Sequence, residues 1–484
     1  MPGEQAPRKA VGMSEQNSWN GGRTPERLQG RLFWRGESGY EEARCGRIFN
    51  GRRPERYPAA ILLATSEDDV VAGVRLARAH GLKVSVRAGG HSWAAWSLRD
   101  EALLIDLGGL RQIELDREAG IVRVSPAVTG SELNGLLTQQ GLMFPGGHCP
   151  DVGLGGFLLQ GGMGWNCRGW GWACQRIEAI DAVTADGELV HADAEHHPDL
   201  LWAARGAGPG FFAIVTRFYL RVRPLPGALT RSSFFYPAAL FDEVMGWLYE
   251  EHPRLAPSVE VVAVGMGGGG ELTSQATPTP VLLLQGLSFA ETPAEAREAL
   301  APFERCPVRE RALQEQVLVP TTLAEEYAEQ RRANPKEHRY AVDNAWLNAP
   351  ATTAIPALRE AFVSLPTAQS FSLWFGMAPL HPLPDMALSL QADVYFASYV
   401  VWQQPEDDAR CRRWLAEQMR RIEPFSEGLF LADSDFTTRP ARFMDEQHWQ
   451  RLQAVRARYD PTGLFHSYLI HPETPINVNP WSQP

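Results

Sequence analysis

Ten of the chain's 44 glycines fall between Gly146 and Gly171, in a stretch with little helical or strand period. Glycine has no side chain to hold a neighbour at a distance, so a long Gly-rich segment inside a globular chain lets backbone approach a ligand closely. Two further Gly-rich turns lie in the first half, Ala88–Ser92 and Gly206–Gly210. Turns of this kind expose backbone N–H groups that can cradle a pyrophosphate. Each alone reads more readily as a plain structural turn. The three together point to a large diphosphate-bearing cofactor. None fits GxGxxG between a strand and a helix, and none fits GxxxxGK[ST], so a Rossmann site and a P-loop are disfavoured.

With 484 residues the chain has room for two or three domains. Residues 1 to about 30 are low in aliphatic side chains and broken by Gly and Pro, and read as a mobile tail. An α/β pattern follows. Ala59–Ala64 suits a buried strand, and Ser66–Gly81 a helix with Ser66 as N-cap. Lys83–Arg87 alternates as a strand and leads into AGGHS; Ala102–Asp106, Ile121–Val124, Ala179–Thr184 and Ala213–Val222 add further strands. The prolines of Val222–Pro226 mark a boundary. Beyond it, strands at Val281–Gln285, Ser370–Phe375 and Val394–Trp402 mix with helices at Pro293–Ala301 and Asp407–Arg421. In strand alternation Phe371 and Phe375 share one face and Trp374 takes the other.

Charge and composition narrow the function. The 57 acidic and 46 basic side chains give a net charge of −11, which argues against a surface for nucleic acid or anionic membrane. The first 30 residues hold no apolar core of signal-peptide length, and no window reaches the length of a membrane span. A cytoplasmic enzyme is the expectation. The six cysteines are scattered without a CxxC pair, so disulfides and a thiolate metal site are not expected. His91 and Cys149 stand out because each sits in a Gly-rich loop, GGHS and GGHCP, with little bulk to shield it. An unshielded thiol or imidazole is a nucleophile toward a bound cofactor or substrate; the alternatives are a hydrogen-bonded turn histidine and a small buried cysteine.

RAGGHSWAAWS (Arg87–Ser97) resembles the RxGGHS motif of FAD-linked oxidases of the vanillyl-alcohol oxidase superfamily. CPDVGLGGFLLQGGMGWNCRGWG (Cys149–Gly171) is similar to the CPTVGxGGxxxGGGxGxxxRxxG stretch of its berberine bridge enzyme-like branch. PDLLWAARGAGPGFFAIVT (Pro198–Thr216) continues the pattern in order, and the segment 423–465 matches more loosely.

The resemblance implies an α+β protein in which a two-part FAD-binding domain of the vanillyl-alcohol oxidase type carries an α+β substrate domain with an antiparallel sheet. Residues 31–226 and 436–484 would form the first, residues 227–435 the second. In that branch the matching His is linked to the flavin 8α-methyl and the matching Cys to flavin C6, so His91 and Cys149 would be the two attachment points. Arg87, Gly89, Gly90, Ser92, Gly153, Gly155, Gly156, Gly161 and Gly162 would also serve the cofactor. Val152 matches the position that gates oxygen, where Val goes with oxidases and Leu with dehydrogenases.

The departures from the family are equally specific. Phe157 stands where a His often lies near flavin N1. Phe430 and Ala432 replace the Tyr and Asn of the closing YxNxxD motif. Trp374–Pro382, where an acidic base is common, contains no carboxylate; His381 is its only proton acceptor, with Tyr395 and Tyr399 on the following strand as further candidates. The expectation is an FAD oxidase taking hydride from a small aromatic or secondary-metabolite alcohol and passing electrons to O2, of unknown oligomeric state. The alternatives are an FAD dehydrogenase, an amine or carbohydrate oxidase, and a flavin-binding protein with decayed catalysis.

Overall fold

The computed structural model describes residues 28–267 and 280–469; most of the expected N-terminal tail lies outside them, as do the last residues of the C-terminal segment. Three main sheets organise the chain. The first joins β1 (Arg31–Trp34), β2 (Ala60–Leu63), β3 (Lys83–Arg87) and β4 (Ala102–Asp106) in the order β1-β2-β4-β3. Here β4 runs parallel to both β2 and β3, and its five residues are all buried, as a strand covered on both faces requires. The helix Glu67–Ala79 that connects β2 to β3 starts on a capping box: Ser66 accepts from the Asp69 N–H while the Asp69 side chain reaches back.

The second sheet is antiparallel. It holds β5 (Ile113–Asp116), β6 (Ile121–Val124), β8 (Ile177–Val183), β9 (Leu189–Ala192) and β10 (Ile214–Arg221), in the order β5-β6-β10-β8-β9. The short strands β7 (Leu142–Met143) and β11 (Arg223–Pro224) pair beside it.

The third sheet is the largest. Its strands are β12 (Ala228–Pro237), β13 (Val259–Met266), β14 (Val281–Ala290), β15 (Gln314–Thr321), β16 (Arg339–Leu347), β17 (Phe371–Gly376), β18 (Val394–Trp402) and β19 (Ser426–Gly428). They pair antiparallel in the order β15-β12-β14-β13-β17-β18-β16-β19. The two faces differ in what they meet. Trp374 points to the helix-covered side, where its ring meets that of His252 at 5.0 Å. Phe371, Leu373 and Phe375 point the other way, toward the first two sheets.

The chain's end returns to its beginning. The Val84 N–H donates to the Leu464 carbonyl and the His466 N–H to the Val84 carbonyl, so the 464–466 segment lies along β3. One buried cation ties the Gly-rich segment to the third sheet's neighbourhood. Arg168, in the helix Cys167–Trp170, donates to the carbonyls of His252, Leu255, Ala256, Val259 and Ala378. The 144–172 stretch is thus less irregular than its composition implies. It contains that short helix and another, Leu154–Leu159, both held by tertiary contacts rather than by propensity.

Candidate functional site

A cavity of about 1050 Å³ lies between the first two sheets and the third. Two glycine loops form its inner end. The loop after β3 and the loop ahead of Leu154–Leu159 touch backbone to backbone: a Cβ on Gly89 would lie 2.7 Å from the Gly153 N, and one on Gly153 the same distance from the Gly89 Cα. Gly90 has φ +79° and is packed on the Arg47 carbonyl, so it too has no room for a side chain. Gly156 borders the cavity with nothing within 4 Å of where its Cβ would stand.

Sequence reasoning brings most of its residues to this place. His91, Ser92, Cys149, Val152, Gly89, Gly90, Gly153, Gly155 and Gly156 all line the cavity. The His91 ring stacks on Phe49 at 3.9 Å, and its Nε2 lies 3.2 Å from Asp151 Oδ1. Burial, with Asp151 and Asp433 next, pushes the Cys149 thiol up. Phe157 lines the same end.

Four expected residues stand differently. Arg87 borders the cavity, but the residue is only 2% exposed and its guanidinium is committed to Asp106 Oδ2 (2.5 Å) and to the carbonyls of Ala43 and Arg44. It shapes the loop from beneath. Gly161 and Gly162 are not among the lining residues; with φ +106° and +76° they turn the chain against Leu388 and Ala173. His381 lies outside the cavity on an exposed segment, its carbonyl accepting from Gln391 Nε2 at 2.7 Å. The chain leaves the third sheet after Gly376 and carries His381 outward.

Tyr395 and Tyr399 do line the cavity, and they meet a residue that sequence reasoning missed. Both phenols donate to Asp433 Oδ2, at 2.6 and 3.0 Å, and Trp93 Nε1 donates to Oδ1 at 2.7 Å. Burial first, and Asp433 next, hold both phenols well above the ordinary tyrosine range. Asn344 fixes the loop that delivers Asp433: its Nδ2 donates to the carbonyls of Phe430 and Asp433, and its Oδ1 accepts the Phe430 N–H. Phe430 and Ala432 therefore present backbone and an apolar surface, while the next residue supplies the acid.

The groove also offers partners to a polyanion. Arg99 lines it, is 8% exposed and, among the described residues, bonds only to the carbonyls of Trp96 and Ser467, with no carboxylate beside it. Burial, with Arg56 next, brings its pKa down to about 9. Ser85 Oγ, Trp96 Nε1 and His466 Nε2, all on lining residues, are buried without a hydrogen-bond partner among the described residues. An uncompensated cation, unpaired donors and glycine loops with no side-chain room fit a diphosphate with planar rings at its ends. Among the described residues no cluster suits a metal ion.

The fold and the site thus define a cofactor-dependent oxidoreductase. A family described as an FAD binding domain matches residues 58–193. The chain is 36% identical over 442 residues to FAD-linked oxidoreductase ptmO of Penicillium ochrochloron, covering 91% of this chain and 96% of that one. It is 26% identical over 475 residues to (R)-6-hydroxynicotine oxidase of Paenarthrobacter nicotinovorans, covering 93% and 98%. Among solved structures, 6-hydroxy-D-nicotine oxidase from Arthrobacter nicotinovorans superposes with a TM-score of 0.79 at 22% identity, over 93% of this chain and 99% of that one. BBE-like 1 of Physcomitrella patens gives 0.77 at 19% identity, over 91% and 96%. The chain belongs to the FAD-linked oxidoreductases.

Proposed function

We propose that the protein is an oxidase with bicovalently held FAD, acting on a small aromatic or secondary-metabolite alcohol. The observation that carries this reading is the convergence of His91, Cys149 and the Asp433–Tyr395–Tyr399 cluster on one cavity. When bound, FAD supplies an acceptor for hydride and a route for the electrons to O2, which leaves as H2O2.

His91 and Cys149 would hold it, through the flavin 8α-methyl and C6; Asp151 orients the imidazole. Gly89, Gly90, Gly153 and Gly155 keep the loops flat against each other, and Arg99 meets the diphosphate charge. Val152 leaves space for O2 where leucine would fill it. The phenol protons of Tyr395 and Tyr399 already point at Asp433, so their oxygen lone pairs are free to accept the proton of a substrate hydroxyl. That proton passes through a phenol to Asp433 as the carbon loses hydride. Trp93 and Asn344 hold the acceptor in place.

An amine donor is the second reading. Asp433 is bound by neutral donors and has no cationic partner among the described residues, which suits an ammonium group.

Acid precipitation tests the attachment. Yellow colour is expected in the pellet of the wild-type protein, with one linkage lost in each of His91→Ala and Cys149→Ala. Flavin released wholly into the supernatant overturns the covalent roles. Oxygen uptake faster than dye reduction, on a panel of alcohols and amines, decides oxidase against dehydrogenase and alcohol against amine.

A further inference from the structure

A second polar pair lines the cavity away from Asp433. Glu260, on β13, is 6% exposed and both its oxygens are occupied: Oε1 lies 2.9 Å from His148 Nε2, and Oε2 accepts the Asn166 N–H at 2.7 Å. A carboxylate only accepts, so Nε2 carries a proton, and in the neutral ring Nδ1 then carries a lone pair. No described residue bonds to that Nδ1. The ring itself is fixed, tilted against Trp165 at 4.4 Å and meeting Phe375 edge-on at 6.1 Å.

The surface between the two polar groups is apolar. Val262, Val264, Leu283, Leu373 and Phe375 floor the cavity there. β13 and β18 are separated only by β17, so Glu260 and the Tyr395 phenol stand on strands about 10 Å apart. His148 also directly precedes Cys149, which puts this polar end beside the expected flavin attachment.

We propose that His148, positioned by Glu260, reads one hydroxyl group on an otherwise apolar, ring-bearing substrate by accepting its hydrogen bond at Nδ1. The pair selects hydroxylated aromatic compounds over their ethers; it is a specificity device distinct from the Asp433 cluster that takes the reaction's proton. The proposal rests on the reading of the cavity as the substrate site. A half-buried acceptor facing an otherwise apolar cavity discriminates, because a ligand lacking the donor leaves that acceptor unpaired.

The test is calorimetric titration of the purified full-length protein with 4-nitrophenol and with 4-nitroanisole. At least tenfold tighter binding of the phenol is expected. The preference should fall to near unity in His148→Phe, which keeps a ring without the acceptor. It should also fall in Glu260→Gln, whose carboxamide satisfies either imidazole tautomer. Nitrogen NMR of the histidine rings should report an unprotonated Nδ1 for a resonance absent from His148→Phe. Equal affinities, no binding of either probe, a preference that survives both variants, or a protonated Nδ1 would each overturn the proposal. Calorimetry reads binding whether or not flavin is present, and acid precipitation reads flavin without any probe, so the two readings fail separately.

Discussion

Trp93 Nε1 and Asp433 Oδ1 are hydrogen-bonded at 2.7 Å across 340 positions of the chain. The bond joins the loop after β3 to the loop after β19 of the third sheet. It leaves the other carboxylate oxygen to the two tyrosines.

Replacing Asp433 with Asn removes the proton acceptor while keeping its shape. Turnover should fall by about 10²–10⁴, the usual worth of a positioned acid or base, with flavin content unchanged. Anaerobic flavin reduction by an active donor measures the rate, and the absorbance ratio of flavin to protein measures the content. An unchanged rate would remove Asp433 from the mechanism.

Two glycines separate loop packing from cofactor contact. Gly89→Ala drives a Cβ into the Gly153 backbone at 2.7 Å, so both the melting temperature and the flavin content should drop. Gly156→Ala meets nothing within 4 Å and sits in a helix, so the apo-protein should hold its stability or gain up to about 1 kcal/mol. Flavin binding should nevertheless weaken. Thermal melts beside flavin spectra distinguish the two; full flavin in Gly156→Ala would show that the cofactor lies elsewhere.

Arg168→Met should cost about 3 kcal/mol. It strips the carbonyls of His252, Leu255, Ala256, Val259 and Ala378 of their common donor, and bonds to a charged group are the stronger kind. Urea unfolding followed by tryptophan fluorescence measures this; a loss below about 1 kcal/mol would mean that the latch is incidental.

Acid should destabilise the helix-covered side of the third sheet through His252. Burial, opposed by its bond to the Leu248 carbonyl, lowers its pKa to about 4. The unfolded chain takes up that proton near pH 6.5, the folded one only near 4, so the stability is complete above 6.5 and is lost as pH falls to 4. The loss is on the order of 3 kcal/mol. His252→Phe should flatten the stability profile across this window, and an unaltered acid limb would rule the residue out.

The glycine-loop end of the cavity was legible in the sequence because its demands are local. Glycine clusters, a histidine and a cysteine in their midst, and a capping box at Ser66 each act within a few residues. The end around Asp433 depends on meetings across long separations. Asp433 sits in an ordinary-looking LADSD string and acquires its role from Trp93, Tyr395 and Tyr399. Glu260 and His148 are 112 positions apart, and neither alone suggests a pair. His381 looked like a base because it was the sole acceptor in its stretch, yet nothing in that stretch records that the chain turns outward there. Gly161 and Gly162 show the reverse limit. Their positive φ is a real demand for glycine, but it serves a turn against Leu388 and Ala173 rather than a ligand.

The pairing of β3 with Leu464 and His466 has a consequence for biosynthesis. On the ribosome β3 emerges hundreds of residues before the strip that completes its edge. That edge of β3 is therefore completed only once residues 464–466 have left the exit tunnel. Any ligand that rests on that edge must wait for them.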